Sequence, residues 1–157
     1  MNVVYLALGS NIGNKKRILS EAESLINEKI GTVIHASSVH TTNPEGFIST
    51  HKFLNKVICV YSILSPQKIL ETILEIEKKL GRNAKSIDGN YQDRTIDIDI
   101  LYYNDSIINV ETLTVPHPHL HTRMFVLKPL LEIAPELIHP ILQLSTKQML
   151  LRLEKED

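Results

Sequence analysis

No apolar run in this sequence is long enough to span a bilayer, and the first residues lack a basic stretch followed by a signal-type apolar core. These absences predict a soluble, cytoplasmic protein with no membrane partner. An excess of one charge is missing as well. With 17 basic and 18 acidic residues the formal net charge is -1, so composition carries no nucleic-acid footprint. Cysteine is almost absent. Cys59 stands alone inside "KVICVYSIL", which excludes a disulfide framework and predicts a small buried hydrophobe in a reduced compartment. No G-x-x-x-x-G-K-[ST] occurs, so a P-loop is excluded, and Gly9-Ser10-Asn11 does not complete a dinucleotide fingerprint. No repeat, low-complexity tract or linker interrupts the chain. Its 157 residues and ordinary hydrophobic content therefore predict one domain, 1–157, with a real core.

What is present reads as alternating elements. "VVYLALGSN" is an apolar strand ending in residues that turn a chain and cap a helix. Ile18, Leu19, Ala22, Leu25 and Ile26 then fall on one helical stripe, closed by Gly31. "TVIHASSVH" reads as the next strand, "TTNPEGFISTH" as a loop, and "FLNKVICVYSI" as a strand again. Ser65-Pro66 opens a second helix with Ile69, Ile73, Ile76 and Leu80 on one face. From Gly81 to Asp93 the chain is polar and carries no apolar stripe, a length that in a compact domain is usually functional or disordered. A strand follows, then a turn at "NDSI", and Leu144 to Leu153 forms a short terminal helix. The order β-α-β-β-α-β predicts an α+β, ferredoxin-like sandwich, a mainly antiparallel sheet with helices packed on one face.

The strand after the polar stretch raises the first chemical question. In "DRTIDIDILYY", side chains alternate, so Ile96, Ile98 and Ile100 share one face while Asp97 and Asp99 share the other. The strand rise puts the two aspartate Cα atoms about 6.5–7 Å apart. Like charges that close repel unless they are solvated or held by cations. The pair is therefore either the wet face of an edge strand or a divalent-metal site.

"VPHPHLHTR" sets His117, His119 and His121 at alternate positions, which invites a zinc reading. The two prolines interrupt a regular strand there, so a loop in which one histidine and Arg123 meet an anion is the better reading. Arg82, Lys85, Arg94, His117 and Arg123 all sit in loops around the aspartates. Singly each is an ordinary surface cation. Together with a carboxylate pair they suit polyphosphate, whose oxygens need divalent ions and whose remaining charge suits guanidinium forks.

"LALGSNIGN", "FLNKV", "RTIDIDIL" and "LTVPHPHLHTRMFVLKPLLEIAPE" together resemble the 6-hydroxymethyl-7,8-dihydropterin pyrophosphokinases of folate biosynthesis. The likeness runs from the first strand to Pro140. Its specific part is R-T-x-D-x-D-I-L followed by V-P-H-P and R-x-F-V-L-x-P-L. The resemblance implies transfer of pyrophosphate from ATP to the hydroxymethyl group of a reduced pterin, with release of AMP. It implies that Asp97 and Asp99 bind two magnesium ions, with Arg82 and Arg94 as loop arginines acting in catalysis. Glu77, Tyr91, Ile100, His117 and Arg123 match positions at the nucleotide. Phe53 and Phe125 match the aromatic pair that sandwiches the pterin ring, and Thr42, Glu45 and Asn55 match pterin-binding positions. Phe53 and Pro118 stand where many members carry tyrosine, Tyr91 where tryptophan is common, and Ala84 where another arginine is frequent.

Two rival readings come from other classes. A ferredoxin-like module that senses a nucleotide or metal without catalysis would keep the aspartates but need no paired arginines. A zinc phosphodiesterase would use the histidine run and act without pterin.

Overall fold

The computed structural model describes residues 1–43, 52–81 and 95–156. Its centre is an antiparallel sheet built from β1 (Asn2–Ser10), β2 (Thr32–Ala36), β3 (His40–Thr42), β4 (Phe53–Ser62) and β5 (Asp97–Tyr103). The order is β2-β4-β1-β5, with short β3 also pairing β4. β1 and β2 run parallel with β4 between them, and β4 and β5 run parallel with β1 between them. This is the split pattern expected for the ferredoxin-like class.

α1 (Lys15–Lys29) links β1 to β2, and α2 (Pro66–Lys79) lies between β4 and β5. Their apolar stripes face the sheet as the spacing predicts. Leu19, Ala22 and Ile26 of α1 and Ile69, Ile73 and Ile76 of α2 pack on Val4, Leu6, Leu8, Ile58, Ile98 and Ile100. Each large apolar side chain buried this way contributes about 1.5–3 kcal/mol. Ser65 caps α2 by accepting from the Lys68 N–H at 3.2 Å, with Pro66 in the first turn. α1 is capped by Asn14 rather than by the Gly9-Ser10-Asn11 turn, because β1 continues through Ser10 before the chain bends. Gly31 closes α1 for a steric reason: a Cβ there would lie 2.0 Å from the Tyr61 carbonyl oxygen.

The sheet is covered on both faces, whereas helices on one face alone were expected. α3 (Met124–Ile133) and α4 (Thr146–Glu156) form a second core with Val57, Leu101, Tyr102 and Leu120. α3 escapes a periodicity reading because apolar residues surround it and Pro129 lies inside it. The expected single strand over 32–40 is two strands, β2 and β3. The chain breaks at Ser37, whose hydroxyl accepts from the Val57 N–H at 3.0 Å. β3 also takes in Thr41 and Thr42 from the expected loop. Beyond β5, β6 (Ile108–Val110) and β7 (Leu113–Val115) form a separate hairpin, followed by a cis Val115–Pro116 bond. Cys59 is buried, as its apolar surroundings predict. No helix among the described residues is long and apolar enough to cross a membrane.

Candidate active site

β5 answers the question of the aspartates. Ile96, Ile98 and Ile100 point into the core, and Asp97 and Asp99 stand half-buried on the opposite face. Their neighbours on β1 are small: Gly9 pairs with Asp97 and Ala7 with Asp99. Beside Gly9 comes Asn55 of β4. A bulge between Tyr5 and Leu6 then breaks the alternation, so Leu101 and Tyr102 both turn into the second core. The carboxylates thus stand over a floor of glycine and alanine, which leaves a cleft between the sheet and α3.

That cleft encloses about 600 Å³, counting the solvent at its mouth, and Thr42, Phe53, Asn55, Asp97, Asp99, Arg123 and Phe125 line it. Phe53 begins β4 and Phe125 lies in the first turn of α3, so the two rings come from opposite sides. Asn55 is buried, and its Nδ2 donates to Thr42 Oγ1 at 2.7 Å. The amide oxygen of Asn55 lies 3.3 Å from where a Gly9 Cβ would sit. An apolar slot with one buried amide suits a flat heterocycle carrying hydrogen-bonding edges.

A second hollow runs along the outer edge of β5, lined by Leu70, Ile98, Asp99, Ile100, residues 111–114, His117 and Pro118. Asp99 is common to both spaces, so the carboxylates stand where the two meet. His117 is docked there by its backbone, which donates to the Leu101 carbonyl of edge strand β5 at 3.0 Å. The His117 Nδ1 accepts from the His119 N–H at 3.1 Å, which leaves the ring proton on Nε2, 4.0 Å from Asp99 Oδ1. Burial, reinforced by Arg123 and His119, holds the His117 imidazole down to about 4 against the upward pull of Asp97. It is a neutral ring at neutral pH, and so a hydrogen-bond donor rather than a cation.

Arg123 caps α3 and is 7% exposed, with its guanidinium carbon 5.4 Å from the Phe125 ring centroid. A buried guanidinium lining the same cleft as two carboxylates can take a polyanion that brings its own cations. Glu77 is not on the helix surface. It is 5% exposed, and its Oε2 accepts from the N–H of Ile98, the residue between the two aspartates, at 2.8 Å. The carboxylate therefore anchors the strand between its two aspartates.

Of the residues singled out in the sequence, Thr42, Phe53, Asn55, Asp97, Asp99, Arg123 and Phe125 share one cleft, and Ile100 and His117 line the neighbouring hollow. Glu45, Arg82, Tyr91 and Arg94, with Ala84 and Lys85, lie outside the described residues. The three alternating histidines do not converge. His117 and His119 tilt together at 6.0 Å, while His121 meets His139 at 6.3 Å. Among the described residues no three His, Cys, Asp or Glu side chains are grouped to hold a metal. The zinc reading loses its support. Sequence reasoning passed over Gly9 and Ala7, whose smallness opens the floor; the "LGSN" turn marked Gly9 only as a bend.

The family described as 7,8-dihydro-6-hydroxymethylpterin-pyrophosphokinase matches residues 5–135. A 2-amino-4-hydroxy-6-hydroxymethyldihydropteridine pyrophosphokinase of Porphyromonas gingivalis is 43% identical over 141 residues, covering 89% of this chain and 95% of that one. The protein of the same name in Bacillus subtilis is 36% identical over 156 residues, 99% of this chain and 92% of that one. Among solved structures, a Plasmodium falciparum HPPK-DHPS matches with a TM-score of 0.78 at 19% identity, across 99% of this chain. The chain spans 44% of that longer protein, and the likeness there is one of fold. With these relatives, this chain belongs to the 7,8-dihydro-6-hydroxymethylpterin-pyrophosphokinase family.

Proposed function

We propose that the protein transfers the pyrophosphoryl group of ATP to the hydroxymethyl group of 6-hydroxymethyl-7,8-dihydropterin, releasing AMP and forming the pterin diphosphate used in folate synthesis. The observation that carries this reading is the position of Asp97 and Asp99 where a slot for a flat ring meets a second hollow. The pterin lies between Phe53 and Phe125, with its amide and amino edge on Asn55 and Thr42. The nucleotide lies along Ile100 and His117. Glu45 on the pterin side and Tyr91 on the nucleotide side are assigned by family resemblance, as are Arg82 and Arg94 on the phosphates. A cytoplasmic location goes with this reading.

The donor set fits divalent ions. Two carboxylates offer hard oxygens on one strand face, and magnesium is commonly held by one or two carboxylates with substrate phosphates completing the shell. Asp97 and Asp99 would hold two magnesium ions, which supply charge neutralisation and polarise phosphoryl oxygens. The chain's own side chains do the positioning. The aromatic pair fixes the plane of the pterin, and the Asn55–Thr42 pair fixes its rotation, which aims the hydroxymethyl group at the aspartates. Arg123 and the neutral His117 donate to phosphate oxygens. Little covalent work remains, so alignment and charge stabilisation supply most of the rate.

The decisive assay is AMP formation from ATP and magnesium with and without 6-hydroxymethyl-7,8-dihydropterin. AMP is expected only when the pterin is present. ATP binding without pterin-dependent AMP would favour a non-catalytic nucleotide module.

A further inference from the structure

A polar cluster outside the cleft joins β3 to α3. Glu132, near the end of α3, accepts from the Ser38 N–H at 2.9 Å through Oε1 and from the Ser38 hydroxyl at 2.9 Å through Oε2. The same Oε2 meets the His40 Nε2. The Ser38 hydroxyl and His40 Nε2 are also 3.4 Å apart. Hydrogen bonds of this number hold the Glu132 carboxyl below the ordinary range, with the Ser38 backbone the largest cause. The break after β2 makes this geometry. Ser37 keeps its bonds to Val57 on β4, which turns the next residue away from the sheet and toward the helix.

The cluster lies in line with the cleft. Asp97, Gly9, Asn55 and His40 are successive cross-strand partners, one row across β5, β1, β4 and β3. His40 and Thr42 are two apart on a strand and so share a face, the one on which Thr42 meets Asn55. Phe125 and Glu132 are seven apart on α3, two turns along nearly the same side of the helix. One end of strand and helix forms opposing walls of the slot, and the other end is tied by Glu132. Among the described residues β3 has three ladder positions, all to β4, and Glu132 ties it laterally to α3.

We propose that Glu132 is a positioning residue, which by binding Ser38 and His40 sets the gap between the Thr42–Asn55 edge and the Phe125 wall and thereby the affinity for the flat heterocycle. This rests on the reading of the cleft as the pterin pocket. Nothing in the tie reaches the hollow along β5, so nucleotide binding is independent of it.

The test uses the full chain with Glu132→Ala and Glu132→Gln. Glu132→Ala should raise the KM for 6-hydroxymethyl-7,8-dihydropterin about tenfold, as loss of bonds to a charged acceptor allows. Its kcat at saturation should stay within about twofold, the signature of lost ground-state positioning rather than lost chemistry. Binding of a non-hydrolysable ATP analogue should not change. Glu132→Gln keeps an oxygen for the Ser38 N–H and should recover most of the affinity. Amide exchange of Thr41 and Thr42 should quicken in Glu132→Ala. A wild-type pterin KM in that variant would overturn the proposal, as would equal weakening of pterin and nucleotide or a Gln variant no better than Ala. Should the wild-type protein make no pterin-dependent AMP, the pocket assignment fails, whereas the tie is still decided by exchange. Unchanged protection of Thr41 and Thr42 in Glu132→Ala overturns the tie itself.

Discussion

Removing the side chain of Glu77 should loosen the strand that carries both aspartates. Among the described residues β5 closes the sheet, and no further strand pairs with its outward N–H groups. The Glu77 carboxylate takes the one on Ile98 at 2.8 Å, in surroundings where both residues are 5% exposed. A hydrogen bond to a charged acceptor is worth about 1.5–3 kcal/mol, and an orphaned buried donor costs a comparable amount. Part of that loss is offset, because truncation also relieves the desolvation of a buried carboxylate. A net cost of about 2 kcal/mol follows for Glu77→Ala. In a chain of this size that lowers Tm by about 4–8 °C. Glu77→Gln keeps an oxygen acceptor and should lose about half as much. The functional cost is larger than the thermal one implies. Ile98 sits between Asp97 and Asp99, and a displacement of about 1 Å in a positioning strand can slow a reaction by up to about 100-fold. Calorimetric melting with magnesium-dependent AMP release should therefore rank wild type above Gln and Gln above Ala in both readouts. An Ala variant that melts and turns over like wild type would refute the anchoring role.

Asp97→Asn and Asp99→Asn should each abolish AMP release while the fold survives, since both side chains are half-buried and outside the core; near-normal turnover at saturating magnesium would remove the metal assignment. Asn55→Ala should weaken pterin binding and leave ATP-analogue binding unchanged by calorimetry, because Asn55 lines only the slot. Gly9→Val should do the same more severely, since the first added carbon already meets Asn55 Oδ1 at 3.3 Å and Phe53 Cδ1 at 3.6 Å; an unaffected pterin affinity would count against the floor. His139 accepts at Nδ1 from the N–H groups of Ile141 and Leu142, and burial followed by His121 lowers its pKa from 6.5. The native ring thus refuses a proton that the unfolded chain takes, so its contribution is whole above pH 6.5 and is lost as pH falls through the folded pKa, at up to about 1.4 kcal/mol per pH unit. His117 acts with the same sign, so the informative comparison is His139→Asn, which keeps an acceptor without the titration; its urea stability should fall less than that of wild type between pH 7 and pH 5.

The parts of the fold that were legible are those with a local cause. α2 shows its cap, its first-turn proline and its apolar stripe within the sequence, and these place it. The alternation around Asp97 and Asp99 shows which face each side chain takes, because one face must be buried. α3 has no such signal. Its residues are apolar on nearly every side because β4 and α4 both press on it, and Pro129 counts against a helix that tertiary packing nevertheless imposes. The split of β2 from β3 is equally hidden, since Ser37 and Ser38 look like ordinary strand polar residues until Val57 and Glu132 claim them.

The site divides along the same line. Residues that would touch ligands could be named because their side-chain chemistry suits a ligand and their spacing matches a family pattern. The residues that hold them could not. Glu77 reaches Ile98 across 21 positions and Glu132 reaches Ser38 across 94, distances at which one sequence contains no pairing information. Glu77 matches a family position at the nucleotide, and its Oε2 accepts from a backbone amide of the strand that carries both aspartates. A carboxylate that binds and a carboxylate that anchors are the same letter in sequence. What separates them is which N–H groups the fold leaves unpaired, and an edge strand such as β5 always leaves some. In this fold Glu77 and the His117 backbone meet that need on β5, one taking the Ile98 N–H and the other donating to the Leu101 carbonyl.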